Sequence, residues 1–209
     1  CRVRGPRTRA WVFVLHRGPA GVADQGMARF VLASRSPRRR DLLAAAGLVP
    51  DVDPVDIDES PRDGEPPERY VVRIAREKVE ASPRPEPVLA ADTTVILDGR
   101  SLGKAEDPQH AQQMLRELSG RTHIVRTAVV LKVDRLLWDV VATAVTFRTL
   151  TDADIARYVE TDEPFDKAGA YAIQGMGGAF IERIEGSYTN VVGLPLTETL
   201  RILRMGEFV

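Results

Sequence analysis

Three long runs of apolar and β-branched residues constrain the fold of this chain more than any other feature. They read "PVLAADTTVIL", "THIVRTAVVLKV" and "LLWDVVATAVTFRTL". Such runs favour β-strands, and the second and third are separated only by a tight turn near Asp134. Asp98-Gly99, directly after the first run, is a typical hairpin turn. We therefore predict a sheet that contains long hairpin strands.

Helical patterns alternate with these strands. Ser36 and Pro37 follow the short apolar run "RFVLA" and are suited to be the N-cap and first residue of a helix that Gly47 ends. Apolar spacing and capping residues predict further helices at 67–81, 107–120, 151–160 and 195–205. This mixture of short helices and long strands predicts an α/β fold around a mixed sheet.

Composition is that of a globular protein. With 209 residues, of which 44% are hydrophobic and 28% charged, the chain can bury a full core and is expected to form one domain, at most with two lobes. The formal net charge of −1 argues against a basic surface that binds a long nucleic acid. No apolar run is long enough to span a bilayer, so we expect a soluble protein without a membrane partner.

Cysteine and histidine usage excludes two kinds of site. Cys1 is the single cysteine, which rules out an internal disulfide framework and a cysteine-built zinc site, and the three histidines are scattered. This usage fits a reducing compartment, and we expect a cytoplasmic location.

Residues 1–26 differ from the remainder, 27–209. They contain five arginines and one acidic residue, Asp24, and the apolar stretch "AWVFVL" is interrupted after six residues by His16 and Arg17. That interruption argues against a secretory signal. Because Met27 directly precedes the first strand pattern, we interpret 1–26 as upstream sequence, a misassigned start or a disordered arm, and 27–209 as the functional domain.

Four arginines, Arg35, Arg38, Arg39 and Arg40, are gathered in "LASRSPRRRDLL" around the predicted start of a helix. A helix N-terminus presents free N–H groups and the positive end of the helix dipole, and guanidinium groups add bidentate bonds to phosphate. The cluster therefore suggests a phosphate site. On spacing alone, pairing of these arginines with surface carboxylates is an equally good interpretation.

Asp92 lies inside the first long strand, where an unpaired carboxylate would cost several kcal/mol. We expect it to face a cleft with a metal or a cationic partner. Lys104, beyond the hairpin turn, can return to the same cleft. The alternatives are that Asp92 caps a turn or pairs with an arginine and that Lys104 is a solvated loop residue.

The acidic loop "DIDES" carries Asp56, Asp58 and Glu59, whose oxygens suit Mg²⁺ or Mn²⁺. An ordinary solvated loop is the commoner outcome for such a run. Lys78 shares a predicted helix face with the apolar Ile74, so its ammonium group either reaches a partner or extends to water.

Several segments together closely resemble the Maf proteins, nucleoside triphosphate pyrophosphatases that are also called septum formation inhibitors. They are "LASRSPRRRDLL", "AREK", "ADTTVILDG", "LGK", "AQQMLRELSGRTHIVRT", "FRTLTDADIARYVETDEPFDKAGAYAIQGMGG" and "IEGSYTNVVGLPL". They occur in order between Phe30 and Met205. The elements "SPRR", "ADT" and "IQG" resemble the branch that acts on dTTP and UTP.

The resemblance implies a Maf/Ham1-like fold, an elongated α/β structure with a central cleft between two lobes. It also implies hydrolysis of a nucleoside triphosphate to the monophosphate and pyrophosphate with a divalent cation, Mg²⁺ or Mn²⁺, usually in a homodimer. The expected partner is thus a small-molecule nucleotide, with no nucleic acid. Two alternatives stay open: a nucleotide-sensing septation regulator without turnover, and a pyrophosphatase with 7-methyl-GTP-type specificity.

The resemblance also assigns roles to individual residues. Asp92 matches the family's proposed proton acceptor and is, with Glu59, a candidate metal ligand. Positions tied to pyrimidine choice are matched by Arg38, Thr93 and Gln174. The other groups that line the family's cleft are matched by Ser34, Arg39, Glu59, Lys78 and Lys104.

Two residues depart from the family pattern. Arg35 stands where a small or uncharged residue is usual, and it adds either a phosphate contact or only a surface charge. Ala105 replaces a proline, which is expected to loosen the loop that holds Lys104 without removing a chemical group.

Overall fold

The computed structural model describes residues 29–208. The strands are β1 Val31–Leu32, β2 Asp51–Val52, β3 Val88–Leu97, β4 Arg100–Leu102, β5 Thr122–Lys132, β6 Leu136–Phe147 and β7 Ile181–Glu185. The helices are α1 Pro37–Ala45, α2 Pro67–Ala81, α3 Pro108–Leu118, α4 Asp152–Val159, α5 Tyr188–Val192 and α6 Leu196–Met205, and two 3₁₀ helices cover Glu163–Asp166 and Met176–Phe180. The extension 1–26 lies outside the described residues, so its separation from 27–209 stays a prediction.

Within the described region, the strands form one mixed sheet in the order β2-β1-β3-β5-β6-β7, and β4 pairs with the end of β3. β1 is parallel to β2 and β3. The pairs β3/β4, β3/β5, β5/β6 and β6/β7 are antiparallel. The predicted α/β fold around a mixed sheet is confirmed.

The two tight turns lie where the sequence predicts them. Asp98 and Gly99 connect β3 to β4 with φ angles of +50° and +76°. Both are in the left-handed region that a two-residue hairpin turn requires, and Asp and Gly tolerate it. Between β5 and β6, the amide of Val133 donates to the carbonyl of Arg135 at 2.9 Å.

The first half of β3 is covered on both faces. Val88 and Ala90 pack in one cluster with residues of α2, while Leu89 and Ala91 pack in another with residues of α1 and α6. This alternation follows from the two-residue period of a strand. Helices therefore cover both sides of the sheet at this end.

The second half of β3 belongs to a different core. Val95 and Leu97 pack with residues of α3, α4 and the end of β6, including Phe147. The polar residues Asp92, Thr93 and Thr94 lie between the two halves. This position, where the sheet passes from one core to the other, is where the cleft forms.

The helix ends are set largely by local residues. Asp107 Oδ1 accepts from the amide of His110 at 2.7 Å and caps α3. Thr151 and Asp154 form the predicted capping box of α4, in which each side chain accepts from the other's backbone amide. Among the described residues, no helix is both long enough and apolar enough to cross a membrane.

The start of α1 lacks one expected contact, and one helix was not predicted. Ser36 occupies the predicted N-cap position of α1, but its side chain accepts no hydrogen bond from the helix. Pro37 at the first helical position, with its restricted φ, defines the start instead. Helix α5 was not predicted, because five residues are too few to show an apolar period.

Candidate functional site

A cleft of about 650 Å³ opens beside the middle of β3. The loops before α1 and after β2 contribute to its walls, as do α2, the loop after β4 and the segments 166–174 and 191–193. All of the site residues predicted from the sequence line it: Ser34, Arg38, Arg39, Glu59, Lys78, Asp92, Thr93, Lys104 and Gln174. The structure thus brings them together, while their chemical roles stay predictions.

Lys78 joins two carboxylates inside the cleft. Its Nζ atom lies 3.0 Å from Oδ1 of Asp92 and 3.0 Å from Oε1 of Glu59. Helix α2 directs Lys78 inward because it lies one turn after the buried Ile74. Asp92 and Lys78 are only 6% and 8% exposed, so each charge depends on the other for compensation.

Burial raises the pKa of Asp92, and the positive charges of Lys78 and Arg39 only partly oppose this effect. The carboxylate is therefore a stronger base than a solvent-exposed aspartate. Its Oδ1 accepts from Lys78, whereas Oδ2 makes no hydrogen bond to a described residue. The second oxygen is thus available to a water molecule or a ligand in the cleft.

The acidic loop that carries Asp56, Asp58 and Glu59 is bonded to α2, and only one of its three carboxylates contacts Lys78. Tyr70 donates its hydroxyl hydrogen to the carbonyl of Glu59 at 2.9 Å, and burial raises the pKa of Tyr70 to about 12. Asp56 pairs with Arg35 at the exposed rim, and Asp58 accepts from the amide of Ser60. Of the three, only Glu59 reaches Lys78.

Arg39 is buried and connects three parts of the cleft. Its guanidinium donates to the Gly193 carbonyl at 2.8 Å and to the hydroxyls of Ser34 and Thr93, each at 3.2 Å. Burial lowers the pKa of Arg39, although a guanidinium group stays protonated in proteins. Arg39 therefore holds together the three segments that carry Ser34, Thr93 and Gly193, and it adds positive charge beside Asp92.

Hydroxyl groups continue this network across the sheet. Thr93 and Thr127 are paired residues of β3 and β5, and their Oγ1 atoms are 2.9 Å apart. Thr127 donates its hydrogen to the carbonyl of Asn190 at 3.1 Å, so it can only accept from Thr93. Since Thr93 also accepts from Arg39, its hydroxyl has one remaining lone pair and no remaining hydrogen.

The other arginines of the cluster separate into two groups. Arg38 lines the cleft and faces Asp166 at 3.5 Å. Arg35, for which the sequence left two interpretations, lies on the rim with its Nη2 3.6 Å from Oδ1 of Asp56. Arg40 pairs with Asp41 on the exposed side of α1 and does not line the cleft.

Lys104 lies on an exposed loop that a second segment supports. It forms an isolated antiparallel bridge with Ala168, and the amide of Gly169 donates to the carbonyl of Gly103 at 2.9 Å. Ala105 is buried in the core beside α3. The loop thus has tertiary support at the position where the family usually has proline.

Gln174 lies on an exposed turn between Tyr171 and the second 3₁₀ helix. Its side chain makes no hydrogen bond to a described residue. The sequence did not indicate Asp166 and Lys167, which line this part of the cleft, or Glu163, which lies outside the lining and accepts from the amide of Met176. They belong to "EPFDKAG", a segment without apolar periodicity, so its presence among the family-like motifs was the only available signal.

The described residues contain no group of three His, Cys, Asp or Glu side chains positioned to hold a metal. Glu59 and Asp92 nevertheless converge on one point, the Nζ of Lys78. Mg²⁺ in nucleotide enzymes is commonly held by one or two carboxylates together with phosphate oxygens and water. The ammonium group of Lys78 fills that point, so a cation held together with phosphate oxygens would use the remaining oxygens of these two carboxylates.

A family model described as Maf-like protein matches residues 29–205, a range that contains every residue of the cleft. The chain belongs to the Maf family. The resemblance found in the sequence motifs is thereby confirmed.

Curated Maf relatives match most of the chain. The dTTP/UTP pyrophosphatase of Anaeromyxobacter dehalogenans (strain 2CP-1 / ATCC BAA-258) is 55% identical over 185 residues, which cover 86% of this chain and 95% of the relative. The dTTP/UTP pyrophosphatase of Escherichia coli (strain K12) is 53% identical over 182 residues, 85% of this chain and 92% of the relative.

Among solved structures, the Staphylococcus aureus Ham1 protein aligns with a TM-score of 0.40 and 14% identity over 57% of this chain and 71% of that chain. The assignment to the Maf family rests on the sequence matches alone.

Proposed function

We propose that the protein is a nucleoside triphosphate pyrophosphatase that hydrolyses dTTP and UTP to the monophosphate and pyrophosphate. The observation that carries this proposal is the identity of 53–55% to curated relatives named dTTP/UTP pyrophosphatase, over at least 85% of this chain. The reaction would remove these nucleotides, or modified pyrimidine nucleotides, from the cellular pool.

The cations of the cleft suit a triphosphate. Arg38 and Lys104 lie at accessible positions on its walls, and Lys78 and Arg39 add positive charge deeper inside. Cleavage between the α and β phosphates increases negative charge on the leaving pyrophosphate. Fixed positive groups stabilise that charge without reorganising during the reaction.

Asp92 would act as the general base. Its free Oδ2 is available to accept a proton from the attacking water, and the raised pKa increases its basicity. Lys78 holds the other oxygen and so fixes the orientation of the carboxylate.

Thr93 and Gln174 would contact the pyrimidine base. In the hydroxyl network described above, Thr93 can only accept one further hydrogen bond, which suits the N3–H of uracil or thymine. The Gln174 amide can donate to a base carbonyl, which leaves N3–H to Thr93. Cytosine has no N3–H in its neutral form, so the same contacts discriminate against it.

We include a divalent cation, Mg²⁺ or Mn²⁺, in the proposal, with Glu59 as the residue that would hold it; metal ligation is the alternative role of Asp92 to that of the base. When bound, the cation would neutralise phosphate charge and polarise phosphorus. We also propose a homodimer and a cytoplasmic location. Both rest on the family resemblance and the composition of the chain.

The test is a substrate panel. The protein is incubated with dTTP, UTP, CTP, GTP and 7-methyl-GTP, with and without Mg²⁺ or Mn²⁺, and pyrophosphate and phosphate are measured separately. We expect pyrophosphate from dTTP and UTP. Binding of these nucleotides without turnover would contradict the enzyme and favour a sensor, whereas turnover of 7-methyl-GTP alone would contradict the assigned specificity.

A further inference from the structure

Glu163, which neither the motifs nor the proposed chemistry assigns, contacts the turn that carries Gln174. Its Oε1 accepts from the amide of Met176 at 2.8 Å, and its Oε2 accepts from the amide of Gly177 at 3.3 Å. These amides lie two and three residues beyond Gln174, at the start of a 3₁₀ helix. The carboxylate of Glu163 thus bonds two consecutive backbone amides shortly after Gln174, the residue proposed to contact the base.

The carboxylate also occupies the space beside the intervening residue. A β-carbon on Gly175 would overlap with the carboxylate of Glu163. The neighbouring backbone is equally crowded, since a β-carbon on Gly177 would lie 2.8 Å from the carbonyl oxygen of Ala172. The glycines of "IQGMGG" therefore let the turn close around the carboxylate.

Glu163 is ionised in this position. Partial burial raises its pKa, but hydrogen bonds from the amides of Met176 and Gly177 outweigh that effect, and the net pKa is lowered. Charge-assisted bonds of this kind are about twice as strong as neutral ones. The segment that bears Glu163 is fixed as well, because Lys167 donates to the Glu163 carbonyl at 2.9 Å.

We propose that Glu163 is a specificity-determining positioning residue that holds the Gln174 turn against the cleft and so controls selection of the pyrimidine base. This inference rests on the proposed function, in which Gln174 reads the base. Glu163 does not line the cleft, so its effect on substrate selection is transmitted through the backbone from residue 175 to residue 177.

The test compares Glu163→Ala and Glu163→Gln with a matched control, Glu182→Ala, which removes an exposed carboxylate from β7. Glu163→Ala removes both amide bonds, so we expect KM for dTTP and UTP to rise by at least about tenfold, the factor that corresponds to one charge-assisted bond, with kcat within about twofold. Turnover of CTP relative to dTTP should increase. Glu163→Gln can still accept one amide bond and should recover part of the selectivity, and Glu182→Ala should match the parent.

A second measurement does not depend on activity. Hydrogen exchange over residues 173–178 should become faster in Glu163→Ala, and exchange in β3 should not change. Gly175→Ala should also reduce selectivity in the parent, and less so in the Glu163→Ala background, because the overlap with the carboxylate has been removed.

The outcomes separate this inference from the proposed function. If the parent releases no pyrophosphate from any nucleotide, the proposed function fails. If the parent is active and Glu163→Ala retains its KM and its preference for dTTP and UTP over CTP, the positioning role of Glu163 is wrong. A fall in kcat with unchanged KM and selectivity would also contradict it.

Discussion

The ammonium group of Lys78 lies 3.0 Å from Oδ1 of the buried Asp92. The same group lies 3.0 Å from Oε1 of Glu59, so one cation connects the β3 strand to the acidic loop. Neither Lys78 nor Asp92 would be stable as an unpaired ion in this buried position, because desolvation of such an ion costs several kcal/mol. The pair makes the orientation of the proposed base a property of the fold.

Replacement of Asp92 by Asn should abolish pyrophosphate release from dTTP. The amide has the size of the carboxylate but cannot accept a proton, and loss of a positioned general base typically costs a factor of about 10²–10⁴. The measurement is kcat/KM together with thermal unfolding, which should show a folded protein. Asp98→Asn, at the exposed end of the same strand, is the matched control and should keep parental activity. Near-parental turnover by Asp92→Asn would rule out its role as the base.

Replacement of Lys78 by Met should move the pH dependence of activity. Burial raises the pKa of Asp92 and the positive charge of Lys78 lowers it, so removal of Lys78 raises that pKa further. Because the base must be deprotonated, the acidic limb of the kcat/KM profile should shift to higher pH. Lys132→Met, outside the cleft, should leave the limb in place. An unchanged limb in Lys78→Met would contradict the assigned coupling.

Replacement of Thr127 by Val should lower the free energy of unfolding by about 1–3 kcal/mol, the cost of leaving a buried polar group without its partner. The group that loses its acceptor is the hydroxyl of Thr93, which donates to Thr127, whereas the carbonyl of Asn190 keeps a hydrogen bond from the amide of Gly193 at 3.0 Å. Thr122→Val on the same strand removes an exposed hydroxyl pair with Thr146 and should change stability by less than about 0.5 kcal/mol. Urea unfolding measures the free energy of unfolding of both variants. If Thr127→Val and Thr122→Val lowered it equally, the buried hydroxyl network would contribute no more stability than the exposed pair.

His123 should make the fold sensitive to acid. Burial lowers its pKa to about 4, against about 6.5 in an unfolded chain. Between these values the unfolded state binds more protons, so stability should fall by up to about 1.4 kcal/mol per pH unit as pH decreases from 6.5 to 4. Glutamine at this position can still bond the hydroxyl of Tyr171, whose oxygen lies 2.7 Å from Nε2 of His123.

Urea unfolding of His123→Gln at several pH values should therefore show a smaller slope than the parent. His110→Gln leaves His123 in place and should retain the parental slope. If His123→Gln and the parent lose stability in parallel, the acid sensitivity belongs to other groups.

Much of the fold was predictable because the information is local. The apolar spacing of 67–81 defines α2, and the conformational tolerance of Asp98 and Gly99 defines the hairpin after β3. The capping box of Thr151 and Asp154 is equally local. Helix α5 was not predictable in this way, since one turn of helix leaves no periodic pattern.

For the candidate site, the motifs named residues that the structure brings to one cleft, but they did not indicate the cleft residues Asp166 and Lys167 or how the side chains are arranged. The motifs selected every residue that was expected to line the cleft, and they did so through resemblance to the Maf family. No local pattern indicates that Arg39 would be buried by Ser34, Thr93 and the carbonyl of Gly193, or that Glu163 would bind the backbone after Gln174. These contacts join residues that are distant in sequence, and periodicity reports only on neighbours.

Local pattern and motif were enough for the α/β class, the long hairpin strands, most helix boundaries and membership of the Maf family. Which charges meet depended on the folded arrangement of the chain. Among three carboxylates in one loop it selected Glu59 for Lys78, and among four clustered arginines it buried Arg39 and left Arg40 in solvent. The physical reason is that secondary structure depends on short-range sterics and periodicity, whereas burial and ionic pairing depend on which segments the sheet brings together.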